Sequence, residues 1–403
     1  MSLPRAVIRH VLSTPMSLAD LQQATQVSLP TLRRAVQDLT DARWIRVVGQ
    51  AEANGGRPAM LFGADTTRFL LVGVHLQLPG MRLIATDLAG AVLDEVKLFD
   101  QVVPTPHEAV QAVADYVTRL RAAFPERVIL GVGLASPGFT DLTSGDIISI
   151  GRVPTWENFP VCRRLQAMVE LPVRIANDVD CMAFAEFLHS SEPLDKNLAY
   201  VGYDEGVKVS LFLKGELYKG SLGNAGLIAS HLLHAGDRPG LQDVHSLLTV
   251  IGVNQRFVQS VAALEAAAPG ADAQAPYADI LSTSNPRARF RLILNGDDAA
   301  MPLCRDLVHD LNAALAAAVA NVIHMVQPDV IVIGGLLSAM PAARFAELEA
   351  DIQGHLPPLI GHNAIIRQGK WASQNGAAKG AILHFLQAYL NDSTLELDGV
   401  ARG

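Results

Sequence analysis

Between Asp20 and Leu39 the chain places hydrogen-bonding side chains where a DNA groove could use them. Leu32, Val36 and Leu39 recur at i, i+4 and i+7 and mark the buried side of a helix. That leaves Leu29, Thr31, Arg33, Arg34 and Gln37 pointing outward. Arginine can pair with a guanine edge or a phosphate, glutamine with adenine, and a threonine hydroxyl with either. Ser28 stands at the N-cap position, where its hydroxyl is expected to accept a first-turn N–H. It joins Thr31, Arg33, Arg34 and Gln37 as a candidate DNA contact. Pro30 falls in the first turn, where its missing donor costs nothing. The preceding stretch, Asp20 to Thr25, reads as a first helix, so the pair forms a helix-turn-helix. Gln26 occupies the turn position where glycine is common, which predicts a strained turn.

Two short strands follow, Trp44 to Gly49 and Pro58 to Phe62, joined by a polar loop ending Asn54-Gly55-Gly56-Arg57. This is the pattern of a wing, with Arg57 at its tip available to a minor groove. Residues 1–63 hold seven Arg, no Lys, and the acids Asp20, Asp38, Asp41 and Glu52, a net charge of +3. The whole chain carries −8. A weakly basic module on an acidic body points to a specific docking surface on double-stranded DNA, not to a chain that coats nucleic acid.

The remaining chain must carry and orient that module. At 403 residues, half of them hydrophobic, it can bury large cores. Cys162, Cys181 and Cys304 are too few and too scattered for a disulfide framework or a zinc pattern, which fits a reducing cytoplasm. The N-terminus shows no signal-peptide core, and the most apolar run, Ala313 to Ala320, is too short to span a bilayer. No membrane partner is expected. Strand patterns at Phe69 to Leu76 and Met81 to Asp87 turn through Leu88-Ala89-Gly90 into Ala91 to Leu93. A helical period from Glu108 to Phe124 precedes a buried strand from Val128 to Leu134. A similar set restarts at Leu198 to Tyr203 and runs through Val207 to Leu213. The body is therefore α/β, with two halves that open alike and a duplicated, two-lobed organisation.

Five stretches in order carry a family resemblance: Gly131 to Gly138, Leu171 to Asp180, Gly215 to Gly220, Pro328 to Gly335, and Gly376 to Ala381. With the winged helix in front, they resemble the ROK family of repressors, open reading frames and kinases. The resemblance implies two actin/hexokinase-like lobes behind a small winged helix-turn-helix domain. The expected boundaries are 1–63 for that domain, 64–180 for the first lobe, completed by 385–403, and 181–384 for the second lobe. Family kinases wrap ATP phosphate with an Asp-Gly-Gly-Thr turn; the stretch here is Val72-Gly73-Val74-His75-Leu76-Gln77. The second phosphate turn reads Asp204-Glu205-Gly206, whose acids would repel a triphosphate. Asn177-Asp178 matches the family's sugar-binding Asn-Asp pair, although the same residues would also make an Asx turn. In the segment Gly226 to His231 the sugar-binding Glu is Leu227 and His231 is displaced by one position. Asn177, Asp178 and His231 are thus the candidate sugar contacts. No Cys follows at the zinc positions, and the spacing of His231, His234 and His245 matches no closed zinc site, so no metal or other cofactor is expected.

The implied protein is a cytoplasmic, non-enzymatic repressor of carbohydrate-related genes. It would bind a palindromic operator as a homodimer or tetramer, with a sugar or sugar phosphate as effector. A sugar kinase with a DNA-binding appendage and a ligand-independent regulator controlled by a protein partner are the alternatives.

Overall fold

A computed structural model describes residues 2–52, 58–100, 102–151, 153–188, 196–204, 206–228, 232–233, 242–243, 247–267, 274–296, 299–361, 363–370 and 375–399. The chain forms two compact units, one of 1–188 with 375–403 and one of 189–374. The DNA-reading module therefore shares a unit with the first lobe and the last helix.

The module opens with α1 (Leu3–Ser13), β1 (Met16–Ser17), α2 (Leu18–Thr25) and α3 (Leu29–Asp41), followed by β2 (Ile45–Gln50) and β3 (Met60–Ala64). A capping box starts α2: Ser17 Oγ accepts from the Asp20 backbone at 3.2 Å, and Asp20 accepts from the Ser17 backbone at 3.0 Å. Those hydrogen bonds from Ser17 hold the Asp20 carboxyl below its ordinary pKa. Gln26 ends α2 in the left-handed region at φ 56°, as the non-glycine turn predicted. Ser28 departs from expectation. It occupies the N-cap of α3, but its hydroxyl pairs with Thr31 Oγ1 at 2.8 Å instead of capping a backbone N–H. The neighbouring hydroxyl has outcompeted the backbone donor. The wing sheet also has a third strand, in the order β1-β3-β2. At two residues, β1 is too short to show a period in sequence.

The first lobe continues with β4 (Phe69–Leu76), β5 (Met81–Thr86), β6 (Val92–Leu98), α4 (Pro106–Ala123), β7 (Val128–Ser136), β8 (Phe139–Asp141), β9 (Asp146–Ser149), α5 (Val161–Val169), β10 (Val173–Asn177) and α6 (Asp178–Leu188). Its five-stranded sheet has the order β10-β7-β4-β5-β6. β4, β7 and β10 run parallel, whereas β5 and β6 are antiparallel. Both faces are covered, which is why every residue of β4 is buried and no alternation shows in its sequence. Val72, Val74, Val132 and Leu134 join Val113 and Val117 of α4 in one core. Phe69, Leu71 and Leu130 project to the opposite face, against the last helix.

The second unit contains β11 (Leu198–Tyr203), β12 (Val207–Leu213), β13 (Glu216–Leu217), β14 (Leu232–Leu233), β15 (Gln242–Asp243), α7 (Val250–Ala267), α8 (Ala278–Ser282), α9 (Pro286–Leu294), α10 (Pro302–Val326), β16 (Val330–Gly335), α11 (Ala342–Gly354), α12 (Pro358–Gly361) and β17 (Ile365–Gln368). Its sheet, β13-β12-β11-β16-β17, repeats the plan of the first: a central strand with an antiparallel pair on one side and parallel strands on the other. The duplicated openings thus become two sheets of one topology. α10 has 25 residues and is apolar enough, by length and composition, to cross a membrane. Its Leu307, Leu311, Leu315, Val319 and Ile323 instead fill this unit's core.

The final helix, α13 (Gly376–Asn391), returns to the first unit. It lies so close that three glycines are obligatory. A Cβ at Gly73 would come within 2.4 Å of the Ala378 carbonyl, at Gly133 within 2.1 Å of the Ala381 carbonyl, and at Gly380 within 1.7 Å of the Cys181 carbonyl. All three contacts are with backbone, which cannot turn aside. Gly133→Ala should therefore destabilise the protein by about 3 kcal/mol or more, at or above the usual range for overpacking. Gly354→Ala, which meets nothing within 4 Å, should stay within about 0.5 kcal/mol. Urea denaturation of both variants tests the contrast.

Candidate DNA interface and small-molecule site

On α3 the side chains divide as the periodicity requires. Leu32, Val36 and Leu39 are buried beneath the helix, and Ser28, Thr31, Arg33, Arg34 and Gln37 are exposed. Leu29, expected to point outward, is half-buried at the helix start. Gln37 donates to Asp41 at 2.8 Å, which holds its amide along the helix surface. Arg33 and Arg34 form no ion pair among the described residues, so both guanidinium groups remain available to phosphate or a base edge. Arg46 is exposed on the wing strand β2. Arg57, the expected tip contact, lies outside the described residues.

Not every arginine of the module faces outward. Arg5 on α1 is only 5% exposed and donates to the carbonyls of Tyr389 and Leu395 at the C-terminal end of α13 and just beyond it. A helix C-terminus carries orphan carbonyls and partial negative charge, and a buried cation satisfies both. Trp44 is fully buried between Phe69 at 4.3 Å and Tyr389 at 6.3 Å between ring centroids, and its indole N–H donates to the Asp398 carbonyl at 2.9 Å. Arg68 bridges the Ala42 carbonyl and the Asp398 carboxylate. The module is thereby clamped to the first lobe by the chain's last helix and tail. Sequence reading took Arg5 as part of the module's basic charge. The overlooked signal was its position three residues before Ile8, on the apolar side of α1.

At the β10–α6 junction the candidate sugar residues meet the first phosphate turn. Asn177 Oδ1 accepts from the Val179 backbone at 3.0 Å, and its amide donates to the Gly138 carbonyl at 3.1 Å. Asn177 therefore makes the Asx turn and ties two loops together. Asp178 is the first residue of α6. One of its oxygens accepts from Val179 N at 2.8 Å, and the other lies 3.9 Å from His75 Nε2. His75 is 5% exposed, and its Nε2 has no hydrogen-bond partner among the described residues. Arg82, paired with His75 across β4 and β5, is bound to Glu95 at 2.6 Å and to Asn375 at 2.8 Å. Burial lowers the pKa of Arg82, and Glu95 offsets part of that shift. His231, His234 and His245 all lie outside the described residues.

At both turns backbone donors are already engaged within the chain. The N–H groups of Gln77 and Leu78 both donate to the Gly80 carbonyl, at 3.0 and 3.2 Å, and the Leu78 side chain is buried. In the second unit, Asp204 N donates to the Gly206 carbonyl at 2.9 Å, and its carboxylate accepts from Arg287 at 2.8 Å. An ATP phosphate needs unpaired N–H groups, so these residues do not fit it. Among the described residues no three His, Cys, Asp or Glu side chains gather as a metal site.

Comparison with known proteins places these features. The sequence profile of the ROK family matches residues 72–388. A protein of Mycobacterium tuberculosis named a transcriptional regulator is 27% identical over 342 residues, spanning 82% of this chain and 73% of its own. A xylose repressor of Caldicellulosiruptor bescii is 21% identical over 330 residues, spanning 80% and 78%. A crystal structure of a ROK family transcriptional regulator, homologous to the MLC protein of E. coli, covers 95% of each chain with a TM-score of 0.75 at 18% identity. That likeness establishes the fold, winged helix and lobes together.

The two kinds of arginine can be separated by stability. Arg5→Leu strips two carbonyls of their donor and should cost about 1–3 kcal/mol. Arg33→Ala, on the exposed face, should change stability by less than about 0.5 kcal/mol. Equal effects in chemical denaturation would contradict the clamp.

Proposed function

The chain belongs to the ROK family, and from that premise we propose that it is a sequence-specific DNA-binding repressor of carbohydrate-related genes. The exposed face of α3 carries this reading: Thr31, Arg33, Arg34 and Gln37 stand on a helix whose other side is buried. An α-helix presented in this way fits a major groove, and the wing would reach the neighbouring backbone or minor groove through Arg57. One winged helix reads one half-site, so a homodimer on a palindromic operator follows from the geometry of recognition. Such a protein works in the cytoplasm.

The family also contains sugar kinases, and we propose that this body is not one. The support is local: at both phosphate turns backbone N–H groups are already hydrogen-bonded, and Asp204 is paired with Arg287. A preorganised phosphate cradle cannot form without breaking those bonds. The body would instead hold a small-molecule effector, with Asp178 as a hydrogen-bond acceptor, and no zinc or nucleotide.

Arg34→Ala should weaken binding to the operator by about 1–3 kcal/mol if the side chain reads a base. A loss confined to phosphate contact would instead lower the slope of log affinity against log salt by about one. Electrophoretic mobility shifts at several salt concentrations distinguish the two, and unchanged binding would remove α3 from the interface. Incubation with ATP, Mg²⁺ and a panel of sugars should give no sugar phosphate; turnover would restore the kinase reading.

A further inference from the structure

β10 is an edge strand of the first unit's sheet and pairs only with β7. Val132 N donates to the Pro172 carbonyl, so the backbone groups of Val173, one residue on, turn away from β7. The Val173 carbonyl is met there by a side chain: Arg174 Nη1 donates to it at 3.2 Å, which folds the guanidinium over the strand edge. Beside this edge, between the β8–β9 turn and α5, lies a cavity of about 680 Å³. Small-molecule sites span roughly 300–1,000 Å³. The walls supply donors: Arg163, Gln166 and Arg174, with the hydroxyls of Thr143 and Ser144. Arg163 is exposed, and its guanidinium meets no acid or carbonyl among the described residues. The cavity lies against Val173 to Ile175, whereas Asn177 and Asp178 stand where β10 passes into α6.

Charge decides the class of ligand. Asp141 is already engaged, accepting from the backbone N–H groups of Thr143 and Ser144 at 2.8 and 3.3 Å. Cys162, which lines the same cavity, feels the local field. Burial pushes its thiol up to about 12, Arg174 pulls it down, and the opposite effect of Asp146 is the smaller of the two charges' contributions. Two guanidinium groups and two hydroxyls offer more donors than the two oxygens of a carboxylate can use. A phosphate monoester presents three strong acceptor oxygens and a charge of about −1.5 to −2 at pH 7. Arg174 is shared, however: its Nη2 donates to Asp392 Oδ2 at 3.2 Å. Asp392 is the C-cap of α13, and its other oxygen accepts from Thr394 N at 2.9 Å. We propose that this cavity binds the phosphate of a small phosphorylated metabolite through Arg163 and Arg174, and that the phosphate competes with Asp392 for Arg174. Binding then acts on the joint between α13 and the tail that clamps the DNA-reading module. The site is separate from the Asp178 acceptor and does not rest on it.

The test uses the full-length protein, titrated by calorimetry with inorganic phosphate, D-glucose 6-phosphate and, as the neutral control, D-glucose. The ester should bind wild type. Arg163→Ala should weaken that binding about fivefold or more, the scale of one hydrogen bond to a charged group, with the melting temperature unchanged. Any binding of D-glucose should be the same in Arg163→Ala as in wild type. Asp392→Asn keeps an acceptor for Thr394 but removes the competing charge, so it should tighten binding of the ester at least threefold. Failure of both phosphate and ester to bind wild type would overturn the site. Undiminished binding by Arg163→Ala would assign the anion to another surface, such as the arginines of α3, and would also overturn it. Unchanged or weaker binding by Asp392→Asn would overturn the competition for Arg174. None of these results would alter the reading of α3 or of Asp178.

Discussion

The close contact of α13 with the sheet and with α6 is the constraint on which the first unit depends. Gly73, Gly133 and Gly380 bring backbone against backbone, leaving no side chain between the surfaces to rearrange. Packed interiors of this density are not continuously deformable, so the helix has one seat on the sheet. With 16 residues, α13 extends for about 24 Å at 1.5 Å per residue. At its start, Asn375 accepts from Arg82, the cross-strand neighbour of His75. At its far end, Tyr389 and the following residues receive Arg5, Trp44 and Arg68 of the DNA-reading module and its junction with β4. A single rigid element therefore reaches from Arg82, beside His75, to the DNA-reading module.

This arrangement changes the meaning of the module's charge. Arg5 is a structural cation that serves carbonyls at the end of α13, whereas Arg33 and Arg34 are solvent-facing. The same residue type does two jobs because burial and available acceptors differ. The phosphate turns show a similar exchange. Gln77 and Leu78 close a tight turn onto Gly80, so both of their N–H groups are satisfied internally. His75 faces Asp178 at 3.9 Å across the corner between β4 and α6.

Much of this was legible in the sequence. Leu32, Val36 and Leu39 identified the buried side of α3, and Thr31, Arg33, Arg34 and Gln37 its exposed side, because helical period is local. The hairpins after Phe69 and Leu198 announced the repeated topology for the same reason. Other features were hidden. Ser28 looked like a backbone cap until Thr31 was seen to hold its hydroxyl. Asn177 read equally as a ligand contact or an Asx turn, and only its bonds to Val179 and Gly138 show how its amide is used.

The sequence by itself determined the class of protein: a winged helix-turn-helix ahead of two α/β lobes, with altered phosphate turns. Those properties follow from short-range pattern and from residue types in order. Tertiary structure alone decided that α13 clamps the DNA-reading module, that Arg5 faces inward, and that His75 and Asp178 stand 3.9 Å apart. Each of these joins residues separated by about a hundred positions or more, and no local periodicity records which distant group will meet which.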